Sequence, residues 1–327
     1  MMRDNLATPP SALVLGGTGF VGRPVCALLA QAGWRVTVPT RRLAQATAIL
    51  HLPNVTVLEA RIADDAQLQA LARGHQLVVN LVAILHGSRD AFDAVHVALP
   101  RRLAAACAAA GVRQLLHVSA LGADARRPEA APSMYLRSKS LGEQALLLAA
   151  QGGAFSLGLL RPSVIFGAQD KFLNLFARLQ EIAPVVPLAG AHARFQPVWV
   201  DDVAGALVRL AARHGSDAKA PRILQACGPK VYTLAELVHL AGCLHGVRGG
   251  RGRPILPLPD LLARVQAFLM ELAPGEPLMS RDNLDSMKTD NVAQPGVPGL
   301  ESLGITPAAL EPIARVYLAP RPRRLSI

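Results

Sequence analysis

The feature that most limits the fold of this chain is a glycine-rich segment near its N-terminus. Ala12–Leu15 is apolar enough for a buried strand, and glycines follow at positions 16, 19 and 22 before a helical segment, Pro24–Gln31. Glycines between a strand and a helix let the backbone approach a pyrophosphate, which the free N–H groups of the helix N-terminus attract. The pattern therefore predicts a dinucleotide-binding turn, with a purely structural glycine turn as the alternative.

Short apolar strands alternate with helical segments through the first half of the chain. The further strands predicted there are Trp34–Val38, Val55–Leu58, Leu77–Ile84 and Leu115–Val118, and the helices between them include Ala66–Arg73 and Arg101–Ala110. Strands rich in Val and Leu that alternate with helices are typical of a parallel sheet covered on both faces. We predict an α/β fold, a Rossmann doubly wound parallel sheet with a smaller C-terminal α/β lobe.

The second half of the chain is less regular. Its predicted strands are Leu157–Leu160 and Ile223–Gln225, and its predicted helices are Phe172–Glu181 and Leu234–Leu244. We assign residues 1–165 to an NAD(P)-binding Rossmann domain and residues 166–327 to a smaller substrate or partner lobe. Segments of the lobe, at about residues 195–227, are expected to return to the main sheet.

Composition limits the partners and the compartment. Of 327 residues, 51% are hydrophobic and 4% aromatic, which excludes a disordered chain and a protein that stacks many bases on aromatic rings. The net charge of +11 favours a phosphate-bearing cofactor or an anionic membrane surface, and no nucleic-acid partner is expected. The four cysteines are scattered, and neither a signal peptide nor a membrane-spanning run is visible, so we expect reduced thiols and a cytoplasmic protein.

The end of the second strand predicts which nucleotide is preferred. Arg41 lies 19 residues after Gly22, close to the spacing at which an acidic residue would bind a ribose hydroxyl, but Arg41 and Arg42 stand there instead. Two guanidinium groups suit a 2′-phosphate, so we predict a preference for NADP(H) over NAD(H). The alternative interpretation of Arg41 and Arg42 is a solvated basic pair in a loop. Asn80 and Val82 end the fourth strand, where they either border the cofactor or only pack.

A Tyr-x-x-x-Lys motif supplies the candidate catalytic pair. Tyr135 and Lys139 are four residues apart, so they share one face of a helix, and a nearby ammonium group helps a phenol to exchange a proton. Ser119 ends the preceding strand and could polarise a substrate oxygen. The alternative is a surface tyrosine beside an unrelated lysine.

Other polar residues have structural explanations. Asp64 and the Asp201–Asp202 pair are predicted to cap the helices that follow them, the second of which is expected to start at Val203. His239, Cys243 and His245 have near-helical spacing but lack a fourth ligand nearby, so no metal is predicted.

An apolar stripe runs along residues 260–272 after a basic, glycine-rich loop that contains Arg248, Arg251 and Arg253. Packing inside the lobe is the favoured interpretation of this stripe. The alternative is an amphipathic helix lying on an anionic membrane.

Four motifs together resemble an extended or atypical short-chain dehydrogenase/reductase: GGTGFVG, HVSALGA, YLRSK and RPSVIFG. Four further segments, KFLNLFARL, QPVWVDDVA, MSRDNLDSM and PGLESLGI, resemble the family of NADPH-binding accessory subunits of respiratory complex I and their bacterial relatives. The resemblance covers roughly residues 12–318.

The resemblance implies a protein that holds NADP(H) in a structural or quinone-related role, with a respiratory-chain partner and a place at the inner face of the membrane. It implies contacts to the pyrophosphate from Gly16, Thr18, Gly19, Phe20, Val21 and Gly22. Arg41 and Arg42 would bind the 2′-phosphate, Tyr135 and Lys139 the nicotinamide ribose, and Pro162 and Val164 the nicotinamide face.

The chain departs from active members of the family at Ser119–Ala120, where those enzymes carry a run of two or three Ser or Thr, and in the short gap of 16 residues before Tyr135. An active NAD(P)-dependent oxidoreductase or epimerase/dehydratase acting on a small or apolar carbonyl or hydroxyl substrate is the alternative function.

Overall fold

The computed structural model describes residues 9–212, 222–272 and 279–320. The strands are β1 (Ser11–Leu15), β2 (Arg35–Thr40), β3 (Val55–Glu59), β4 (Leu77–Asn80), β5 (Gln114–Val118), β6 (Ser156–Pro162), β7 (Ile165–Phe166), β8 (Val186–Leu188), β9 (Arg194–Phe195), β10 (Val198–Trp199), β11 (Arg222–Ala226), β12 (Tyr232–Thr233) and β13 (Ile255–Pro257). The α-helices are α1 (Gly22–Gln31), α2 (Asp65–Ala72), α3 (Arg89–Asp93), α4 (Leu99–Ala110), α5 (Met134–Ala150), α6 (Leu173–Ile182), α7 (Val200–Ala212), α8 (Leu234–Leu244), α9 (Asp260–Leu272), α10 (Arg281–Ser286) and α11 (Leu310–Leu318).

Seven strands form one parallel sheet in the order β3-β2-β1-β4-β5-β6-β11. The chain runs outward in one direction from β1 to β3 and then starts again at β4 on the other side of β1. This reversal opens a crevice at the carboxyl ends of β1 and β4, where Leu15 is paired with Asn80. The predicted doubly wound fold is confirmed.

Helices cover both faces of the sheet, which explains why its strands are so apolar. All five residues of β1 are buried. One core lies between the sheet and helices α1 and α7, to which Leu300, Leu303 and Ile305 add from the C-terminal part of the chain. The other core lies under α2, α4 and α5. Burial on both faces fixes the sheet, so its carboxyl edge is a rigid platform for a site.

A third apolar core, built around α6, α8 and α11, makes the smaller lobe. Three two-stranded pairs belong to this half of the molecule: β7 with β10, β9 with β12 and β8 with β13. β11 returns to the main sheet and pairs with β6, whereas β9 and β10 do not join that sheet. The domain boundary at residue 165 stays a prediction.

The structure corrects three details of the sequence interpretation. The strand predicted over Leu77–Ile84 ends at Asn80, since the chain leaves the sheet there to cross its edge. Helix α7 starts at Val200, so Asp202 lies inside its first turn, where its Oδ2 accepts a hydrogen bond from the Ala308 N–H at 2.8 Å instead of capping the helix. Asp64 does cap α2 as predicted, through the Gln67 N–H.

The third correction concerns α9. Packing in the lobe was the favoured interpretation of its apolar stripe, but only Ala263 and Ala267 of this helix are buried. The large apolar side chains of the stripe face solvent: Leu261, Leu262, Val265, Phe268, Leu269 and Leu272.

Cysteine and membrane expectations are partly tested. All four thiols are free, and burial raises the pKa of Cys26, Cys107 and Cys227 to about 12. Among the described residues, no helix is long and apolar enough to cross a bilayer. The signal-peptide prediction concerned the first ten residues. Residues 1–8 of that segment lie outside the described residues.

Candidate functional site

The glycine turn between β1 and α1 has no room for a side chain at Gly17 or Gly22. Gly16 has a φ of +81°, and its carbonyl oxygen accepts a hydrogen bond from the Gly19 N–H at 3.0 Å. A Cβ atom on Gly22 would collide with the Gly16 carbonyl oxygen, and one on Gly17 would lie 2.8 Å from Val38 Cγ1. The backbone is therefore held tightly at the carboxyl edge of the sheet, where α1 begins. Gly17 is therefore also required for the close packing of the turn, although the sequence analysis assigned roles only to Gly16, Gly19 and Gly22.

Thr18, Phe20 and Val21 complete the turn and are half-buried. The turn is braced by Arg23, whose Nε donates to the Thr18 carbonyl oxygen at 2.9 Å and whose Nη1 donates to Gln169 Oε1 at 2.7 Å. Arg23 was not among the predicted residues. Its signal was available, because a basic residue directly after the last glycine stands at a helix N-terminus expected to face an anion.

Arg41 and Arg42 follow the carboxyl end of β2, next to β1 in the sheet. Both side chains are exposed, and neither forms an ion pair with any residue that the structure describes. The strand ends at the buried Thr40, whose hydroxyl donates to the Arg42 carbonyl oxygen at 3.1 Å. Two unpaired guanidinium groups thus stand at the edge of the crevice where the ribose of an adenosine moiety would lie.

Asn80 and Val82 shape the neighbouring strand end. Asn80 Oδ1 accepts a hydrogen bond from the Val82 N–H at 3.2 Å, so the amide nitrogen of Asn80 faces His117 Nδ1 at 3.0 Å. A Cβ atom on Gly16 would lie 3.3 Å from the Val82 nitrogen, which shows how closely this strand end approaches the glycine turn. Burial holds the pKa of His117 well below its usual range, with the charge of Lys139 acting in the same direction.

Lys139 contacts the end of β5 at Val118, the residue before Ser119. Lys139 is 2% exposed, and its Nζ donates to the Val118 carbonyl oxygen at 3.1 Å. Burial lowers the pKa of Lys139 to about 8, an effect that the carboxylate of Glu143 opposes. The buried Ser119 hydroxyl has no hydrogen-bond partner among the described residues. A buried hydroxyl without a partner is a free donor or acceptor for a bound molecule.

Tyr135 lies one turn before Lys139 on α5 and is half-buried. Burial raises the pKa of its phenol to about 12. Its ring stands edge-on to the His96 ring at 5.6 Å between centroids. The phenol is therefore protonated at neutral pH, and as the site stands it can donate a proton more readily than it can remove one.

His96 was not predicted, and it links α5 to the sheet edge. It lies in a π-helical turn, Ala94–Ala98, where Nε2 accepts from the Ile84 N–H at 3.1 Å and Nδ1 is 2.8 Å from Ser138 Oγ. Burial and the charge of Lys139 lower the pKa of His96 to about 3, so the ring is neutral. A lone histidine in a helix carries no sequence signal for this role, because the contact depends on the irregular turn.

The N-terminus of α5 is capped from the far end of the chain. Asp282, in α10, accepts hydrogen bonds from the backbone N–H groups of Met134 at 2.6 Å and Tyr135 at 3.1 Å. Ser286 of the same helix donates to the hydroxyl of Ser133, the N-cap residue of α5, at 2.7 Å. The segment MSRDNLDSM therefore positions the helix that carries Tyr135 and Lys139.

Pro162 and Val164 are held at the end of β6 by another distant residue. The Pro162 carbonyl oxygen accepts from the Leu121 N–H at 2.9 Å. Asn291 Oδ1 accepts from the Val164 N–H at 3.1 Å and from the Ser163 hydroxyl at 2.6 Å. One residue before Pro162, the buried Arg161 forms a bidentate ion pair with Glu143 of α5.

The predicted site residues thus gather along one edge of the sheet, at the ends of β1, β2, β4, β5 and β6 and on α5. The residues present suit a nicotinamide dinucleotide. At Gly17 and Gly22 the turn leaves no room for a side chain between the backbone and a pyrophosphate. At the other end of the edge, Lys139 bonds to Val118, and the Ser119 hydroxyl that follows has no partner among the described residues. The individual roles of these residues stay predictions.

The histidine and cysteine group does not form a metal site. Cys243 Sγ lies 3.4 Å from His239 Nε2, but His245 Nδ1 donates to the Leu318 carbonyl oxygen at 2.8 Å instead of joining them. Within the described parts of the chain, no group of three or more histidine, cysteine or acidic residues could hold a metal ion.

Comparisons with known proteins agree with this architecture. Residues 12–227 match the NAD dependent epimerase/dehydratase family. The mouse protein NADH dehydrogenase (ubiquinone) 1 alpha subcomplex subunit 9, mitochondrial, is 33% identical over 92% of this chain and 77% of its own length. A ceramide reductase of Caulobacter vibrioides is 34% identical over 60% of this chain and 59% of its own length. A solved structure of MoeE5 in complex with UDP-glucose and NAD has the same fold, with a TM-score of 0.68 at 20% identity over 94% of this chain and 97% of its own.

Proposed function

Because this chain belongs to the NAD dependent epimerase/dehydratase family, we propose that it holds NADP(H) at the carboxyl edge of its sheet as a structural cofactor. The fold and the family support a nicotinamide dinucleotide as the ligand class. The choice of NADP(H) over NAD(H) rests on one observation, the two exposed and unpaired guanidinium groups of Arg41 and Arg42 at the end of β2. A 2′-phosphate is the part of NADP(H) that NAD(H) lacks, and it would lie at this strand end.

Nucleotide binding tests this proposal directly. We expect the dissociation constant of NADPH to rise by about tenfold or more in Arg41→Ala/Arg42→Ala, because charge-assisted hydrogen bonds to the 2′-phosphate are lost, while that of NADH changes little. Arg35→Ala is the matched control, since Arg35 is exposed at the opposite end of β2. Calorimetry with both nucleotides provides the measurement. An equal loss of affinity for both would overturn the assignment of NADP(H).

The holding role is supported by the state of the candidate catalytic pair. The pKa of Tyr135 is raised to about 12 by burial, whereas an efficient acid or base needs a pKa near the working pH. Ser119 stands alone where active enzymes carry two or three hydroxyl residues. A bound nucleotide would stabilise the native state in proportion to its occupancy. The mouse relative is named as a subunit of a respiratory enzyme, which supports a structural or quinone-related role beside the respiratory chain.

An active oxidoreductase is the second candidate, and it is supported by the orphaned Ser119 hydroxyl near Lys139 and by the reductase of Caulobacter vibrioides among the relatives. In that case Tyr135 would donate the proton to a substrate oxygen and Lys139 would hold the ribose, while the cofactor supplies hydride chemistry. Mixing the purified protein with NADPH and candidate quinones or carbonyls, and following the nicotinamide absorbance, tests this. Turnover that Tyr135→Phe abolishes would favour the enzyme over the holding role.

We also infer a place at the inner face of a membrane. The apolar face of α9 is exposed and the chain carries a net charge of +11, a combination that suits an anionic surface. Part of the protein should sediment with membranes at low salt and be released at high salt. Recovery of all of it in the soluble fraction at low salt would contradict this inference.

A further inference from the structure

We propose that the basic loop, residues 248–253, forms a pocket for the phosphate group of an anionic phospholipid while α9 places its apolar face among the neighbouring acyl chains. This inference rests on the proposed membrane location and names the ligand that the protein would recognise there. It does not depend on nucleotide binding at the sheet edge.

The pocket is a cavity of about 300 Å³ lined by His239, Arg248, Arg251, Gly252, Arg253, Pro254 and Ile255. None of its three guanidinium groups forms an ion pair within the part of the chain that the structure describes. Arg253 Nε is buried and has no hydrogen-bond partner among the described residues. A buried donor is normally satisfied, so this atom lacks an acceptor that a phosphate oxygen would supply.

The loop is held in one conformation, so the arginines are presented by a defined backbone. Arg248 has a φ of +51°, a left-handed conformation that a residue with a side chain seldom adopts. The Gly250 and Gly252 N–H groups both donate to the Val247 carbonyl oxygen, and the Arg253 N–H donates to the buried Gln180 Oε1 at 2.5 Å. Strained backbone held in this way is typical of ligand-binding loops.

Helix α9 begins seven residues after Arg253 and leaves its apolar side chains in water. Leu261 is 75% exposed and Leu272 is 66% exposed, as part of a stripe of six large apolar residues. In β13, between the loop and the helix, Leu256 is exposed as well. Ion pairs from Arg264 to Asp285 and from Arg281 to Glu271 fasten the two ends of the helix near α10. A fixed helix with this pattern suits the boundary between headgroups and acyl chains.

Charge distinguishes a lipid surface from a second copy of this chain as the occupant. The loop carries three arginines without an ion pair among the described residues and precedes α9 by seven residues, and the whole chain has a net charge of +11, so two copies would repel each other. An anionic membrane offers both the negative headgroups and the apolar layer that these two features require.

The experiment uses the full chain, loaded with its nucleotide, and two kinds of vesicle. One is phosphatidylcholine alone, and the other contains about 30% phosphatidylglycerol, which makes the surface negative. We expect binding to the anionic vesicles that weakens with salt. Arg251→Gln/Arg253→Gln should weaken it by about 25-fold, taking about fivefold for each basic residue near the surface.

Arg73→Gln/Arg101→Gln is the matched control, because it removes the same charge from exposed positions at the end of α2 and on α4. It should weaken binding by about twofold or less, since charges farther than a Debye length from the surface are screened. Leu261→Asn/Leu269→Asn should weaken binding by about tenfold or more through lost apolar contact. All variants should keep the melting temperature and the nucleotide affinity of the parent, which separates this proposal from the one on nucleotide holding.

Three results would overturn the proposal. One is equal binding of the pocket variant and the control variant to anionic vesicles. Another is the absence of vesicle binding by the parent at low salt. If the parent is then also a dimer that Leu261→Asn/Leu269→Asn converts into a monomer, the apolar face binds a second copy of the chain and not a membrane. The third concerns inorganic phosphate. If phosphate raises the melting temperature of the parent but not of Arg251→Gln/Arg253→Gln, and both bind vesicles equally, the pocket binds free phosphate and not a lipid.

Discussion

The two ends of the candidate site are built in different ways. The glycine turn, residues 16–22, is one continuous segment whose shape follows from its own glycines and from packing against β2. The end that carries Tyr135 and Lys139 is instead held by residues distant in the chain, among them His96 and Asp282. The comparison teaches that the shape of the glycine turn is decided locally, whereas the position of the Tyr135–Lys139 pair is a property of the whole fold.

This difference predicts two kinds of variant. Changes in the turn should remove nucleotide binding, because the proposed binding surface is the backbone itself. Changes around α5 should mainly lower the free energy of unfolding, because buried polar contacts there lose their partners. Four variants, ordered by the size of their effect on stability, test this separation.

Glu143→Gln should have the largest effect. It leaves the buried Arg161 guanidinium without its counter-ion, which costs about 3–5 kcal/mol of unfolding free energy. Glu129→Gln removes an exposed partner of Arg137 and should cost less than about 1 kcal/mol. Chemical denaturation of both provides the measurement, and similar losses for both would show that the buried pair does not hold α5.

Gly22→Ala should lose about 1–3 kcal/mol and nearly all nucleotide binding, because the new Cβ collides with the Gly16 carbonyl oxygen. Gly152→Ala is the control, since its Cβ would meet nothing closer than the Ala149 carbonyl oxygen at 3.7 Å. Calorimetric titration and thermal melting check both effects. Normal binding by Gly22→Ala would remove the distinction between the two ends.

His96→Gln should change how stability depends on pH. The pKa of His96 is lowered from 6.5 to about 3, so below about pH 6.5 the unfolded chain binds a proton that the folded chain does not. The parent therefore loses stability as the pH falls, and the variant should lose about 2 kcal/mol less between about pH 7 and about pH 5. His51→Gln is the control for the substitution itself, at an exposed position. Parallel slopes for parent and His96→Gln would argue against a buried neutral His96.

Asp282→Ala should have the smallest effect, a loss of about 1 kcal/mol, because two N–H groups at the start of α5 lose their acceptor. Its nucleotide affinity should stay close to that of the parent. Asp90→Ala, an exposed residue in the first turn of α3, is expected to cost about 0.5 kcal/mol or less. Thermal melting compares the two, and a severe loss of nucleotide binding in Asp282→Ala would mean that the two ends are coupled.

Much of the fold was predictable from the sequence, because the central strands β1 and β4 are buried along their whole length and are almost entirely apolar. The glycine turn and the Tyr135–Lys139 spacing were also predictable, because each is a pattern within one short segment. Asn291 and His96 were not visible, because an asparagine that clamps a strand end and a histidine in a π-helical turn carry no local pattern.

The α9 stripe shows the limit most clearly. Its apolar period correctly predicted a helix with one apolar face, but the same period serves a helix buried in a core and a helix exposed on a surface. The favoured interpretation was wrong because only the neighbours in space decide which face is covered.

The sequence by itself determined the doubly wound sheet, the glycine turn and the two arginines beyond β2, since periodicity and glycine spacing act over a few residues. Only the tertiary structure decided that Asp282 caps the helix of Tyr135, that Arg161 is paired inside the core and that α9 turns its leucines to the outside. Some of these contacts join residues more than a hundred positions apart in the chain. A pattern within one segment therefore does not show which side chains become buried or paired.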